Sequence, residues 1–388
     1  MLRRLTQGFA LAITAATAVA ACSSGNSTST ISVGPNFPSQ TLYASNSTQN
    51  AVSIYPGSTT SGAGPAYQIG GSSTKLAGPQ YLAFDNFSNL FVTNYDVSSN
   101  SAEIVEIKTL ATGNVLPLNG VSLGTVRPRG IVYYAQPNPQ SSASPSPAFV
   151  VAAVDPSAAT GFTSKLLFYS DSLLLFQALG GPNTKMDVPS GVAMDANNNI
   201  YVTNLQTKSV EVFALPTSSP TPTPSASPTA SPSPSPTPSG ATASPSPTPI
   251  PTASPINVAP IKLITGAATG LGQPTGITVA ANGTIYVSDS AASLGATACG
   301  TSATCPAILI FPAGANGAIA PGSIAGSKTK LNAPTDVKLD KSGNIYVGDT
   351  TSTGAGVVYV FAPGASGNVA PAKTFTSPGA VIGIGLTP

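Results

Sequence analysis

Asn46, Asn94, Asn204, Asp289 and Asp349 occupy one equivalent place in successive units of a repeating 388-residue chain. Arranged as a ring, such amides and carboxylates would bind a metal ion or polar ligand directly. Serving one turn each, they would be scaffold. Repetition favours scaffold, because a turn needs its hydrogen bond in every copy, whereas a site breaks the repeat. Arg127 and Arg129 are such breaks. They flank Pro128, with Tyr133 and Tyr134 close behind. A planar guanidinium suits a carboxylate or phosphate ligand, or a surface ion pair with a nearby acid. The chain has no histidine, which removes the commonest general base and metal ligand together. Ser-His-Asp triads and His-bearing metal sites are therefore excluded. The glutamates are Glu103, Glu106 and Glu211, all at third-strand positions of their units, and no phosphate-cradling G-x-x-x-x-G-K-[ST] occurs. No catalytic residue, metal or cofactor is expected.

The units that carry these residues are legible as strands. The phrases PSGVAMDANNNIYVTN (189–204), PTGITVAANGTIYVSD (274–289) and PTDVKLDKSGNIYVGD (334–349) are close copies, and PQYLAFDNFSNLFVTN (79–94) is a weaker one. Such self-similarity marks stacked repeat units. In each, a proline opens a short apolar strand and a tight turn follows. Asp340 accepts hydrogen bonds from the turn backbone, and Gly343 or Asn198 takes positive φ. The second strand is Ile-Tyr-Val, uncharged on both faces, as expected of a sheet covered on both sides. Third strands are read at 210–214, 307–311 and 356–361, and fourth strands at 261–265, 323–325 and 373–375. Four antiparallel strands per unit, repeated radially, make a β-propeller blade.

Openings at Pro79, Pro128, Pro189, Pro274 and Pro334 give five complete units. The N-terminal region supplies strands at 41–45, 51–55 and 67–70 with no opening strand, and the C-terminus supplies an opening strand at 381–386 with nothing after it. The expected fold is all-β: a six-bladed propeller of four-stranded antiparallel blades, closed by N- and C-terminal strands sharing one blade. Closure removes exposed sheet edges. The third blade, with strands at 130–135, 149–154, 165–169 and 172–179, is the most divergent.

The consensus Pro-x-Gly-Ile/Val-x-Val/Met-Asp-x-x-Gly/Asn-Asn-Ile-Tyr-Val-x-Asp/Asn resembles NHL-repeat propellers over most of residues 41–386. It is less similar to WD-type or kelch propellers, which usually carry tryptophan; this chain has none. NHL repeats often open the third strand with a basic residue, whereas Ser209, Pro306 and Gly356 stand there in this chain. Six-bladed calcium-dependent lactonases place an acidic residue with Asn and Asp around the channel, so the polar ring admits a hydrolase as the alternative.

Arg3 and Arg4 precede an apolar stretch ending Val19-Ala20-Ala21-Cys22. It is too short for a permanent span and has no charged stop. The motif resembles the bacterial lipoprotein processing box, which implies a signal peptide over 1–21, lipidation of Cys22 and a flexible tether over 22–40. Ser23 and Ser24, with no Asp after the cysteine, imply the outer membrane. Removing Arg3 and Arg4 from 15 Lys+Arg leaves 13, equal to the 13 Asp+Glu. That balance offers no field for nucleic acid. Cys299 and Cys305 are read as a disulfide removing roughly 2 kcal/mol of unfolded-state loop entropy.

Two proline-rich stretches, 217–255 and 136–147, interrupt the domain that runs over 41–388. Proline removes backbone donors, so both are expected to be extended, solvated loops. The reading is of a lipid-anchored envelope scaffold that binds a protein, peptide or glycan. It is a monomer that meets the membrane through its anchor and meets no nucleic acid. Recognition is expected on the face carrying 290–306, with Arg127 and Arg129 contributing. A gluconolactonase-like hydrolase and a structural cell-envelope protein are the alternatives.

Overall fold

A computed structural model describes residues 40–134, 147–156, 163–216 and 255–388. The expected signal peptide, Cys22 and, apart from edge residues, the tether and both proline-rich inserts lie outside the described residues. Among the described residues, no helix is long and apolar enough to cross a membrane.

The described strands form six four-stranded antiparallel sheets. Blade 1 joins Leu42–Asn46, Ala51–Tyr55 and Tyr67–Gly70 to the C-terminal strand Val381–Leu386 as its innermost member. Leu42 pairs with Leu386, Tyr43 with Gly385 and Ala44 with Ile384, so the two ends of the domain share one sheet. Blades 2 to 6 open with Pro79–Phe84, Arg127–Tyr133, Pro189–Met194, Pro274–Val279 and Pro334–Leu339. The closed six-bladed propeller expected from the repeats is the fold observed.

The buried apolar side chains among the described residues fall into six clusters, each between two neighbouring blades. Ile200 and Val202 face blade 3, packing with Val150, Phe168 and Leu179. Tyr201, between them in sequence, faces blade 5 and packs with Ile277 and Leu309. A strand sends alternate side chains to opposite faces, so an uncharged Ile-Tyr-Val strand serves two interfaces at once.

The turns behave as their residues dictate. Asp340 accepts from the N–H groups of Ser342 (2.9 Å) and Asn344 (2.8 Å), and Gly343 lies at φ 82°. Asp85 and Asp195 make the same turn in blades 2 and 4. Cys299 and Cys305 are disulfide-bonded with Cα atoms 5.3 Å apart. The bridge is not wholly in a loop: Cys299 ends the short helix Ala296–Cys299, and Cys305 is the first residue of the strand Cys305–Phe311.

Every opening strand is bulged shortly after its first residue. The register shifts between Pro79 and Leu82, Pro128 and Ile131, Pro189 and Val192, Pro274 and Ile277, and Pro334 and Asp336. The blade 1 partner strand shows the same shift between Ala44 and Asn46. A bulge bends a strand and re-aims its side chains. Six of them in register set what lines the central channel.

Candidate functional site: the central channel and its mouth

Second strands carry a hydroxyl that binds the bulge and clasps the next blade. Thr203 Oγ1 accepts the Gly191 N–H at 2.8 Å and donates to the Thr275 carbonyl of blade 5 at 2.5 Å. Thr93 accepts the Tyr81 N–H (3.0 Å) and donates to the Arg129 carbonyl of blade 3 (3.2 Å). Ser45 accepts from Gly383 and donates to the Gln80 carbonyl of blade 2. Thr275 and Thr335 extend the chain of clasps, donating to the carbonyls of Pro334 (3.1 Å) and Val381 (3.0 Å). The junction from blade 3 to blade 4 carries Ala152 at this place. This girdle is written in the sequence as the Ser or Thr of VTN, VSD and ASN, a signal the repeat comparison passes over.

The bulges pack backbone on backbone. A Cβ at Gly191 would lie 2.5 Å from the Thr275 carbonyl oxygen, and one at Gly276 would lie 2.5 Å from Asp336 Cα. Glycine is therefore the residue that fits, and Gly130 and Gly383 occupy the same position in their blades. Two blades depart from it: Tyr81 in blade 2 and Asp336 in blade 6.

Both departures are buried, Tyr81 at 6% exposure and Asp336 at 0%. The Tyr81 hydroxyl is 3.5 Å from Ser190 Oγ of blade 4 and 3.4 Å from the Thr335 carbonyl of blade 6. An atom from blade 2 can approach blades 4 and 6 together only near the axis, so the ring crosses the bore. Burial, with Asp336 adding to it, pushes the phenol up to about 12 against the opposing pulls of the Ser190 hydroxyl and Arg129. Asp336 accepts from Lys338 Nζ at 2.8 and 3.1 Å and from the Val337 and Ile384 N–H groups. Burial nevertheless raises its carboxyl above the usual range. Removing such a partner would strand a buried charge.

Above this plug, at the C-terminal ends of the opening strands, lies a cavity of about 250 Å³. Leu82, Ile131, Val192, Ile277, Leu339 and Gly385 line it, one from each blade, and Tyr133, Thr278 and Lys338 give it polar groups. It is a funnel of mixed polar and apolar lining with Lys338 as a cation among its walls.

Of the expected site residues, Tyr133 is at this mouth. Arg127 and Arg129 are not: they lie within the strand Arg127–Tyr133, at its opposite end, rather than in an opening loop. Arg127 is exposed, its guanidinium carbon 4.9 Å from the Tyr95 ring centroid. Neither arginine has an ion pair with a described acid.

The repeated polar ring is engaged with its own loops. Asp289 accepts N–H groups from Gly272, Gln273 and Ala291, and Asp349 from Asn332, Ala333 and Thr350. Burial outweighs those donors and pushes Asp349 up to about 6. Asn204 accepts the Asp187 N–H, Asn94 donates to the Lys75 carbonyl, and Asn46 accepts the Thr48 hydroxyl. All five are at most 2% exposed. Among the described residues no three of His, Cys, Asp and Glu are grouped to hold a metal ion.

No family model matches the chain, and no curated protein matches it in sequence. The NHL resemblance therefore rests on the repeat motif alone. Solved structures do share the architecture. A protein of unknown function from Bacteroides caccae superposes with TM-score 0.55 at 10% identity, over 90% of this chain and 99% of its own. A protein from Lactobacillus plantarum gives 0.47 at 10% identity over the same shares. A streptogramin B lyase gives 0.36 at 10% identity, over 74% of this chain and 70% of its own. At 10% identity the likeness to the Bacteroides caccae protein is one of fold.

Proposed function

We propose that this protein is a non-catalytic binding propeller, lipid-anchored at the bacterial envelope, whose ligand enters the channel mouth from one side. The observation that supports the reading is the Tyr81 plug beneath a funnel built by all six blades. Ligand pockets commonly measure about 300–1,000 Å³, so a space of about 250 Å³ suits one or two side chains or a single sugar of a larger partner. Lys338 and the Tyr133 phenol supply its polar contacts. The hydrolase alternative would need oxygen ligands from the polar ring, whose carboxylates already accept three backbone N–H groups each.

Thermal melts with and without millimolar calcium separate the two readings. A binding scaffold predicts no calcium shift in the wild type, and Asp289→Ala or Asp349→Ala proteins that melt lower whether or not calcium is present. Calcium stabilisation abolished by either substitution would replace this reading with the enzyme. Anchoring has its own check: labelled palmitate should enter the wild type and not a Cys22→Ala protein.

A further inference from the structure

Phe87, Leu116, Leu118 and Leu174 are 80%, 62%, 54% and 63% exposed. All four lie on blades 2 and 3, in connections that emerge on the channel-mouth face. Isolated exposed leucines need no explanation, but a group of them rimmed by polar residues marks an interaction surface.

Hydrogen bonds hold this shoulder in shape. The Phe87 N–H is bound by Asp85 at 2.9 Å. Leu118 N–H donates to the Glu106 carbonyl at 2.7 Å. Asn119 Nδ2 reaches across to the Ser172 carbonyl of blade 3 at 3.4 Å, and Leu174 N–H donates to Ser170 Oγ at 3.2 Å.

Its charge is negative. Glu106 is raised above the usual carboxylate range by partial burial and then by the charges of Asp85 and Asp171, and Asp171 by partial burial and then by the charge of Asp85. Neither has an ion pair with a described lysine or arginine, and Lys108, just past the end of the strand Ser101–Ile107, makes none. A cation brought here relieves repulsion as well as forming a pair.

Complementarity selects the occupant. Anionic lipid and nucleic acid are repelled. A second copy docked face to face would set carboxylate against carboxylate. The chain's own segments 22–39, 135–146 and 217–254 contain no lysine or arginine.

We propose that this shoulder of blades 2 and 3 docks a basic segment of a partner protein. Phe87, Leu116, Leu118 and Leu174 take its apolar side chains, and Glu106 and Asp171 take its lysines or arginines. The inference deepens the binding-scaffold reading and uses a surface beside the mouth.

The test is fluorescence anisotropy of the full-length protein with labelled nonapeptides of alternating lysine and tryptophan, alternating glutamate and tryptophan, and alternating lysine and serine. The lysine–tryptophan peptide should bind saturably, weaken about tenfold or more in the Glu106→Gln/Asp171→Asn and Phe87→Ser/Leu174→Ser proteins, and weaken with added salt. The other two peptides should bind at least about tenfold more weakly. Equal binding of the glutamate peptide, or unchanged affinity in both double variants, overturns the proposal. Loss of peptide binding in a Lys338→Met/Asp336→Asn protein, which leaves no unpaired buried charge and whose melt is checked, with binding kept in the shoulder variants, would move the contact into the mouth, sinking the shoulder while sparing the mouth reading. The four shoulder substitutions are at partly or fully exposed positions, and their melts verify folding.

Discussion

Glu211 is a fully buried carboxyl with the Ser209 hydroxyl on one oxygen (2.7 Å) and no partner among the described residues on the other. Burial raises it from 4.5 to about 8, against smaller opposing pulls from Ser209 and Lys185. The folded state thus holds a proton that the unfolded chain releases near pH 4.5. The stability so gained is complete below that value and is lost as pH rises through about 8. The melting temperature should therefore fall between pH 5 and 9, and Glu211→Gln should flatten that slope while keeping the Ser209 contact. An unchanged slope in the variant would place the titration elsewhere. At this scale the sequence was informative about scaffold and less so about site. Asn94, Asn204, Asp289 and Asp349 read as scaffold because they recur; each bonds its own loop, while Asn94 Oδ1 and Asn204 Nδ2 are buried with no partner among the described residues. Tyr81 and Asp336 were passed over because the alignment weighs agreement. Their signal was a non-glycine at the third place of the phrase, and its meaning depends on a bulge that spacing does not reveal.

Among the elements, the bulged opening strands and their hydroxyl clasps govern how blades meet. Thr203→Val keeps shape but leaves the Gly191 N–H and the Thr275 carbonyl without their clasp, at a cost of about 1–3 kcal/mol. Ala152→Ser supplies the missing clasp between blades 3 and 4, where a Cβ on Gly130 would already lie 2.6 Å from the Ser190 carbonyl oxygen. That change should add about 0.5–1.5 kcal/mol. Denaturant unfolding of both variants checks the pair, and a destabilised Ala152→Ser protein would contradict the clasp. Strand positions were largely readable, because β-branched runs end at proline or glycine; 51–55, 67–70, 356–361 and 381–386 match residue for residue. The blade 3 opening strand begins at Arg127 rather than Gly130, since proline at a strand's first residues costs no ladder bond on the channel side. The 3-10 turns at Ser72–Thr74, Pro182–Thr184, Ala267–Thr269 and Ser327–Thr329 were not anticipated. Each follows a glycine at φ 105–117°; three are bonded by an asparagine of the next blade, Asn114, Asn257 or Asn368, and Ala318 stands at that place for Ala267–Thr269, so the deciding partner is distant in sequence.

The whole molecule depends on closure. Among the described residues, six interblade clusters and no common core mean that no blade is complete without both neighbours, and one cluster joins Leu42, Ala44, Tyr55, Val381 and Ile384 of blade 1 to Val358, Val360 and Phe375 of blade 6. The axis, the Tyr81 plug and the mouth exist only if that junction holds, because Gly385 and Leu386 form part of the funnel wall. Closure was readable from incomplete units at the two ends of the domain, which fit each other and nothing else. The channel's contents were not, since they arise from six residues brought together from the length of the chain. Unfolding of a protein lacking residues 378–388, followed by circular dichroism against temperature, tests the closed ring most directly. The account predicts that the cooperative transition is lost or moved far down in temperature; a shortened protein that melts as sharply and as high as the intact one would contradict it.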